Sequence, residues 1–287
     1  MRIPMTGDKP AKVATPITIN RALAQSGLVP FEAKMLLAHV LATDRAWLAA
    51  HGDATLNVEQ AKSFEALARR RREGFPIAYL TGRREFYGLE LEITEDVLIP
   101  RPESEILVEF ALAHIDEGEA ARVLDLGSGS GAVALAIAKA RPAASVLGVD
   151  VSPAARALAR RNTMRLGIAN VAFIESDWFE HVPSTAFDVI VANPPYVADD
   201  DPHLGQGDLR FEPTIALKGG LDGLDAIRRI IAGASGCLKT GGWLAIEHGY
   251  DQAESVQSLL RGASFDELHT RRDLAGVLRT TSARHPG

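Results

Sequence analysis

A single cysteine, Cys237, stands in 287 residues. It allows no intrachain disulfide, no thiolate metal cluster and no paired redox motif. The eight histidines are scattered without metal-site spacing, so no metal cofactor is expected. No apolar run reaches membrane-spanning length, and no basic segment with a long apolar core opens the chain. The expectation is a soluble protein of the reducing cytoplasm, monomeric when free and without a membrane partner. A charge excess of one sign is also lacking in the first third. Residues 1–100 carry 13 Lys/Arg against 12 Asp/Glu, and residues 101–287 carry 18 against 25, for a net charge of −6. Bulk charge therefore cannot capture nucleic acid, and no stable nucleic-acid complex is expected. The one basic run, Arg69 to Arg72, reads as a solvated helix end, where positive side chains suit the helix dipole.

A chain of this length can bury a large core in one or two domains. Residues 1–15 show no period and read as a poorly ordered lead-in. From Ile19 to about Arg72 the pattern is helical. Ala33, Leu36, Leu37, Val40 and Leu41 form a stripe at spacings of three and four after Pro30, a residue suited to a first helical turn. Phe64, Leu67 and Ala68 mark a further helix. Gly74 and Pro76 end this pattern. Alternation from Gly88 to Thr94 reads as a strand within a hairpin-like joint, and Pro100-Arg101-Pro102 precedes a helix from Glu103 to Ala113. The division expected is a helical substrate-recognition domain at 16–76, a β-hairpin-like linker at 77–100 and an α/β domain at 101–281.

Beyond Ala121, short apolar strands alternate with helices: 122–126, 146–149, 171–174, 189–192 and 243–247 as strands, with helices at 132–140, 154–166, 224–234 and 253–260. This rhythm predicts a Rossmann-like, mostly parallel sheet covered on both faces, with ligands beyond the carboxyl ends of its strands. Gly127-Ser128-Gly129-Ser130-Gly131 follows one strand and opens one helix. Missing side chains let a ligand approach the turn, and backbone donors favour electronegative groups. The triplet fits a dinucleotide, a methionine-nucleoside or a plain tight turn. It is not a phosphate-binding P-loop, because the Gly-Lys-Ser/Thr ending is absent. Asp150 ends the next strand, at the height where a carboxylate accepts from a ribose diol. Asp177-Trp178 follows the third strand, placed to meet the polar edge and flat face of a base. Asp125 reads as an organiser of the glycine loop and of the amino-acid end of a cofactor.

The sharpest motif is Asn193-Pro194-Pro195-Tyr196, directly after the apolar run at 189–192. An amide nitrogen is a poor nucleophile because its lone pair is delocalised into the carbonyl. The Asn193 side-chain oxygen and the Pro194 carbonyl can hold both hydrogens of an NH2 group and aim its nitrogen at a methyl donor. Two prolines keep the corner rigid, and Tyr196 can cover a flat acceptor. Asn193, Pro194 and Tyr196 are the candidate catalytic residues, and all four are candidate substrate contacts. Neither a covalent nucleophile nor a strong general base is needed.

Taken with Glu32-Ala33, Pro76 to Gly82, Glu85-Phe86, Ile99 to Glu105, Gly207 to Pro213, Gly219 to Leu224, Glu247-His248-Gly249 and Arg271 to Arg279, the chain resembles bacterial peptide chain release factor N5-glutamine methyltransferases (HemK/PrmC-like) over about residues 20–280. The resemblance implies transfer of a methyl group from S-adenosyl-L-methionine to the side-chain amide nitrogen of glutamine in the Gly-Gly-Gln motif of class 1 release factors. The products would be N5-methylglutamine and S-adenosyl-L-homocysteine. It implies cofactor contacts from Gly127, Ser128, Gly129, Ser130, Gly131, Asp150, Asp177, Trp178 and Asn193, and a substrate role for Asn193 to Tyr196. Ser104, Ser128 and Ser130 stand where threonine is frequent. His203 and Glu212 read as organisers of the loop after the corner. The alternatives are a ribosomal-protein glutamine methyltransferase, a nucleic-acid exocyclic-amine methyltransferase and a catalytically silent nucleotide-binding scaffold.

Overall fold

The stripe of small and branched residues in the first third does form helices. The computed structural model describes residues 17–184 and 186–286, so the aperiodic stretch at 1–15 lies outside the described residues. Strand β1 (Ile17–Thr18) leads into helix α1 (Ile19–Gln25), which Thr18 caps through its hydroxyl. Helix α2 (Pro30–Leu41) starts on its proline and buries Ala33, Leu36, Leu37 and Ala38. Helix α3 (Arg45–Ala50) is capped by Asp44, and β2 (Thr55–Leu56) pairs antiparallel with β1. Helix α4 (Val58–Arg72) opens on a capping box in which Asn57 and Gln60 satisfy each other's backbone amides. Three of the four arginines in its basic last turn meet partners in this unit: Arg71 pairs with Glu32 at 2.6 Å, Arg72 with Glu65 at 2.7 Å, and Arg70 covers the Phe75 ring at 3.8 Å.

The chain divides between Thr81 and Gly82. Residues 77–81, expected within the hairpin-like joint, are instead helical (α5, Ile77–Thr81) and belong with the helices before them. Pro76 starts the turn, its carbonyl accepting from the Leu80 amide, and Gly82 stops it with φ of +68°. The hairpin itself, β3 (Arg83–Phe86) with β4 (Leu89–Glu92), falls in the C-terminal unit. Tyr87 and Gly88 both have positive φ, the two-residue turn that matches strand twist. Phe86, Leu89 and Leu91 are buried, as period-two alternation requires. A 3-10 turn at Pro102–Ser104 precedes helix α6 (Glu105–Ala113), so the expected helix at Glu103 begins two residues late.

The remainder alternates as expected: β5 (Arg122–Leu126), α7 (Ala132–Ala140), β6 (Ser145–Asp150), α8 (Pro153–Leu166), β7 (Val171–Glu175), β8 (Phe187–Ala192), α9 (Asp225–Ala234), β9 (Leu238–Glu247) and α10 (Ala253–Gly262). Two further strands, β10 (Asp266–Arg272) and β11 (Leu278–Arg284), have no counterpart in the apolar pattern. Their sequences are polar. β11 nevertheless buries Thr280, Thr281 and Ser282, and the Thr281 hydroxyl bonds the His248 ring and Thr270. Among the described residues these strands make a seven-stranded sheet of order β10-β11-β9-β8-β5-β6-β7, parallel from β9 to β7 and antiparallel at β11 and β10. Strand order reverses between β5 and β8. Ligands of open α/β sheets sit at such a point, beyond the carboxyl ends.

One buried side chain ties the hairpin to this edge. Asn162 on α8 is fully buried; its Oδ1 accepts from the Glu92 amide at 2.7 Å, and its Nδ2 donates to the carbonyls of Glu92 and Ser130, each at 3.1 Å. Asn162→Ala leaves the buried Ser130 carbonyl and the partly buried Glu92 amide and carbonyl without their partner. Such a loss costs about 3 kcal/mol, read as a lower urea midpoint with an unchanged denaturant slope.

Candidate active site

At the reversal point lies a cavity of about 640 Å³. That is the size of a small-molecule or cofactor site. Gly127, Ser128, Gly129, Ser130, Asp150, Asp177, Trp178, Asn193 and Pro195 line it, together with Asp125. These residues share the cavity with polar ones that the sequence did not single out as site residues, among them Asp96, Ser152, Ser176, Lys218 and Asp225. Phe86, Val97 and Leu98, from the hairpin and the segment after it, add an apolar wall that sequence reasoning missed. Their alternation signals a strand but not which side of the sheet edge it covers. Gly131 and Pro194 do not line the cavity, and Tyr196 lines a neighbouring one.

The glycine loop curls over the end of β6. The amides of Gly127 and Ser128 both donate to the Val149 carbonyl at 2.9 Å, and the Gly129 amide donates to Asp150 Oδ2 at 2.8 Å. Asp150 Oδ1 accepts from the Ser152 amide at 2.8 Å. Each oxygen keeps a second lone pair for a ligand hydroxyl. Gly131, with φ of +84°, serves packing: a Cβ there would meet the Phe173 ring at 2.9 Å and Ala159 at 3.2 Å. A Cβ on Gly148 would meet the same ring at 2.5 Å. Asp125 is buried and accepts from the Ala134 amide at 3.2 Å. Burial, with Asp150 nearby, pushes its carboxyl up to about 7. Burial likewise raises Asp150.

Trp178 holds φ of +52°, a costly conformation for an aromatic residue, with its carbonyl fixed by the Ser176 hydroxyl at 2.8 Å. Its ring lies beside Gly127. Asp177 reaches the cavity, but its Oδ2 is paired with Arg229 at 2.8 Å.

After β8 the corner is held from behind. Asn193 Nδ2 donates to Ser104 Oγ at 2.9 Å, and Ser104 Oγ donates to Glu247 Oε2 at 2.6 Å. The Tyr196 hydroxyl donates to Glu247 Oε1 at 3.2 Å. Asn193 Oδ1 and the Pro194 carbonyl accept no hydrogen bond from any described residue. The following segment pairs with 217–219, Val197 donating to the Leu217 carbonyl and Gly219 to that of Val197. Gly219 and Gly223 permit this: a Cβ on either would strike the Pro195 or Tyr196 carbonyl at 2.6 and 2.3 Å. Glu212 is buried against Arg101 at 2.5 Å, which braces the loop, while His203 is exposed and bonds Asp201 at 2.7 Å. His248 is buried on Thr281, away from chemistry. Ser104 and Glu247 escape sequence reasoning as site residues, since 143 positions separate them. Their presence in motifs around the corner was the available signal.

Known proteins carry the same pattern. Residues 18–82 match the PrmC N-terminal domain family and residues 103–206 the methyltransferase small domain family. The release factor glutamine methyltransferase of Xylella fastidiosa strain Temecula1 is 49% identical over 266 residues, spanning 93% of this chain and 97% of that one. The chain belongs to the release factor glutamine methyltransferase family. The Escherichia coli K12 member is 44% identical over 254 residues, covering 88% of this chain and 91% of its own length. A methyltransferase crystal structure from Pyrococcus furiosus, 19% identical, shares the fold with a TM-score of 0.55 over 76% of this chain and 98% of that one.

As a family member this is an S-adenosylmethionine-dependent methyltransferase, and the cavity fits that cofactor on its own evidence. The Ser128 hydroxyl is buried without a partner in the loop that lines it, and Asp150 has lone pairs to spare for a diol. Among the described residues no His/Cys/Asp/Glu group could hold a metal, and no helix is long and apolar enough to cross a membrane. Asp125, which lines the cavity, is expected to give cofactor binding a pH dependence. Its carboxyl is neutral below about 7 and charged above, so affinity for the cationic cofactor rises with pH. Titration calorimetry should show up to about tenfold tighter binding at pH 8 than at pH 6, and Asp125→Asn should flatten that slope.

Proposed function

We propose that this enzyme methylates the side-chain amide nitrogen of the glutamine in the Gly-Gly-Gln motif of peptide chain release factors, giving N5-methylglutamine. The observation that carries this reading is the pair of unfilled acceptors, Asn193 Oδ1 and the Pro194 carbonyl, at a rigid corner beside the cofactor cavity. Two acceptors fit the two hydrogens of a primary amide. When bound, S-adenosylmethionine supplies an electrophilic methyl on its sulfonium. The chain's own residues do the rest. Asp150 holds the nucleoside end, and Asp125 faces the ammonium of the amino-acid end. Asn193 and Pro194 accept from the substrate N–H groups. As the nitrogen gains positive charge in the transition state, those hydrogen bonds strengthen, which is where the rate gain comes from. The methylated nitrogen is then a strong acid and releases its proton without a strong base.

Tyr196 is held by its hydroxyl, which leaves its ring as the part that can meet the acceptor. Its hydroxyl is fixed on Glu247, and burial, with Glu247 adding, raises its phenol above the ordinary value. It stays neutral and acts as a wall. The family names and the absence of a basic footprint favour a protein acceptor, the class 1 release factors, over nucleic acid.

Unmethylated release factor incubated with the enzyme and S-adenosylmethionine should gain one methyl group on the glutamine of its Gly-Gly-Gln segment, located by tandem mass spectrometry. Asn193→Ala should lower kcat on the order of 100-fold, about 3 kcal/mol of transition-state stabilisation, with cofactor affinity nearly unchanged. A folded, cofactor-binding enzyme that leaves this glutamine unmodified would overturn the assignment.

A further inference from the structure

The hydrogen-bond chain behind the corner has a fixed direction, and that direction sets which end of the Asn193 amide meets the substrate. Ser104 has one hydroxyl hydrogen. It is directed at Glu247 Oε2, at 2.6 Å, so the Ser104 oxygen can only accept from Asn193. Asn193 must then turn Nδ2 toward Ser104, at 2.9 Å, and Oδ1 away from it. The other carboxylate oxygen is occupied by the Tyr196 hydroxyl. A carboxylate with two hydroxyl donors, one on each oxygen, makes this arrangement self-consistent.

We propose that Glu247, as the carboxylate, is a positioning residue for methyl transfer: through Ser104 it locks the Asn193 amide with its oxygen toward the acceptor, and through Tyr196 it fixes the wall of the neighbouring cavity. The inference rests on the release-factor reading and deepens it. Glu247 does not line the cofactor cavity. It lies at the end of β9, fully buried, and lines the neighbouring cavity of about 510 Å³.

A proton on Glu247 undoes the lock. The protonated acid can donate to Ser104, which frees the serine hydrogen to turn toward Asn193. Asn193 can then flip and present Nδ2, a donor, to a substrate that also donates. Two donors face each other and the acceptor pair is lost. Burial pushes the Glu247 carboxyl up to about 7, opposed by the hydrogen bonds from Ser104 and Tyr196. The switch therefore lies near neutral pH. The charged and titratable groups facing it are Glu103 from the 3-10 turn, Arg279 from β11, Tyr196 and Arg101 beside the corner, and His203 and Asp208 across the cavity. Glu103 favours the proton and Arg279 opposes it.

The test is a kcat–pH profile of the full-length enzyme on unmethylated release factor, with S-adenosylmethionine saturating at every pH so that cofactor capture drops out. Wild-type kcat should fall as pH drops through about 7. Glu247→Gln, which offers one oxygen to two hydroxyl donors, should lower kcat on the order of 100-fold and remove the acid limb, with KM for the cofactor within about twofold. Ser104→Ala should lose a comparable factor, and Ser104→Thr, which restores the hydroxyl, should recover most of it. These two variants decide the matter if Glu247→Gln fails to fold. Wild-type kcat and an unchanged acid limb in Glu247→Gln, or equal activity of the alanine and threonine variants, would overturn the inference. A wild-type enzyme that does not methylate the release factor would instead defeat the functional reading on which it stands.

Discussion

The Phe173 ring fills space that two missing side chains leave, and the cofactor edge depends on it. It comes from β7 and reaches under the glycine loop, meeting the positions where Gly131 and Gly148 have no Cβ. Because the ring is there, the loop can bend down onto β6, placing the Gly127 and Ser128 amides on Val149 and the Gly129 amide on Asp150. A larger residue at either glycine would lift the loop off the strand. Asp150 would then lose a donor that opposes the effect of burial on its carboxyl. Close packing of one ring thus governs the electrostatics of a carboxylate in the cavity wall.

Around that edge the enzyme separates binding from activation. On the proposed reading the cavity offers a cationic nucleoside carboxylates and backbone groups that do not react with it. The corner offers acceptors whose hydrogen bonds strengthen as the nitrogen becomes positive. Nothing in this division calls for a nucleophile of the protein's own. What it does demand is orientation, because an amide side chain has a donor end and an acceptor end of nearly equal size. Ser104 and Glu247, on separate elements, supply that orientation.

Legibility followed physical range. The parallel strands were readable because their apolar runs are local, and the glycine loop, Asp150 and Asn193 could be placed at strand ends on one cavity because those positions are written in neighbouring residues. The helix Ile77–Thr81 was missed because its stop signal, Gly82, lies inside a stretch whose later half does alternate. β10 and β11 were missed because strands such as β11 bury hydroxyls rather than aliphatic side chains; Thr281 looks solvent-facing until His248 and Thr270 are found beside it. Gly131 illustrates the reverse. Its motif suggests ligand contact, while its surroundings require the absence of a side chain for Phe173, Leu135 and Ala159. Whether a glycine serves a ligand or a neighbour is settled by residues distant in sequence.

The pairing of β9 with β11 sets the order in which the molecule can become active. Thr280 stands opposite Glu247 in the antiparallel register, and the Arg279 carbonyl accepts from the His248 amide. During synthesis, the glycine loop, Asp150 and the corner all leave the ribosome well before the strand that pairs Glu247. A nascent chain can therefore assemble its nucleoside cavity while the brace behind Asn193 is still unsupported. A chain truncated or stalled before β11 lacks the pairing that holds Glu247 in place.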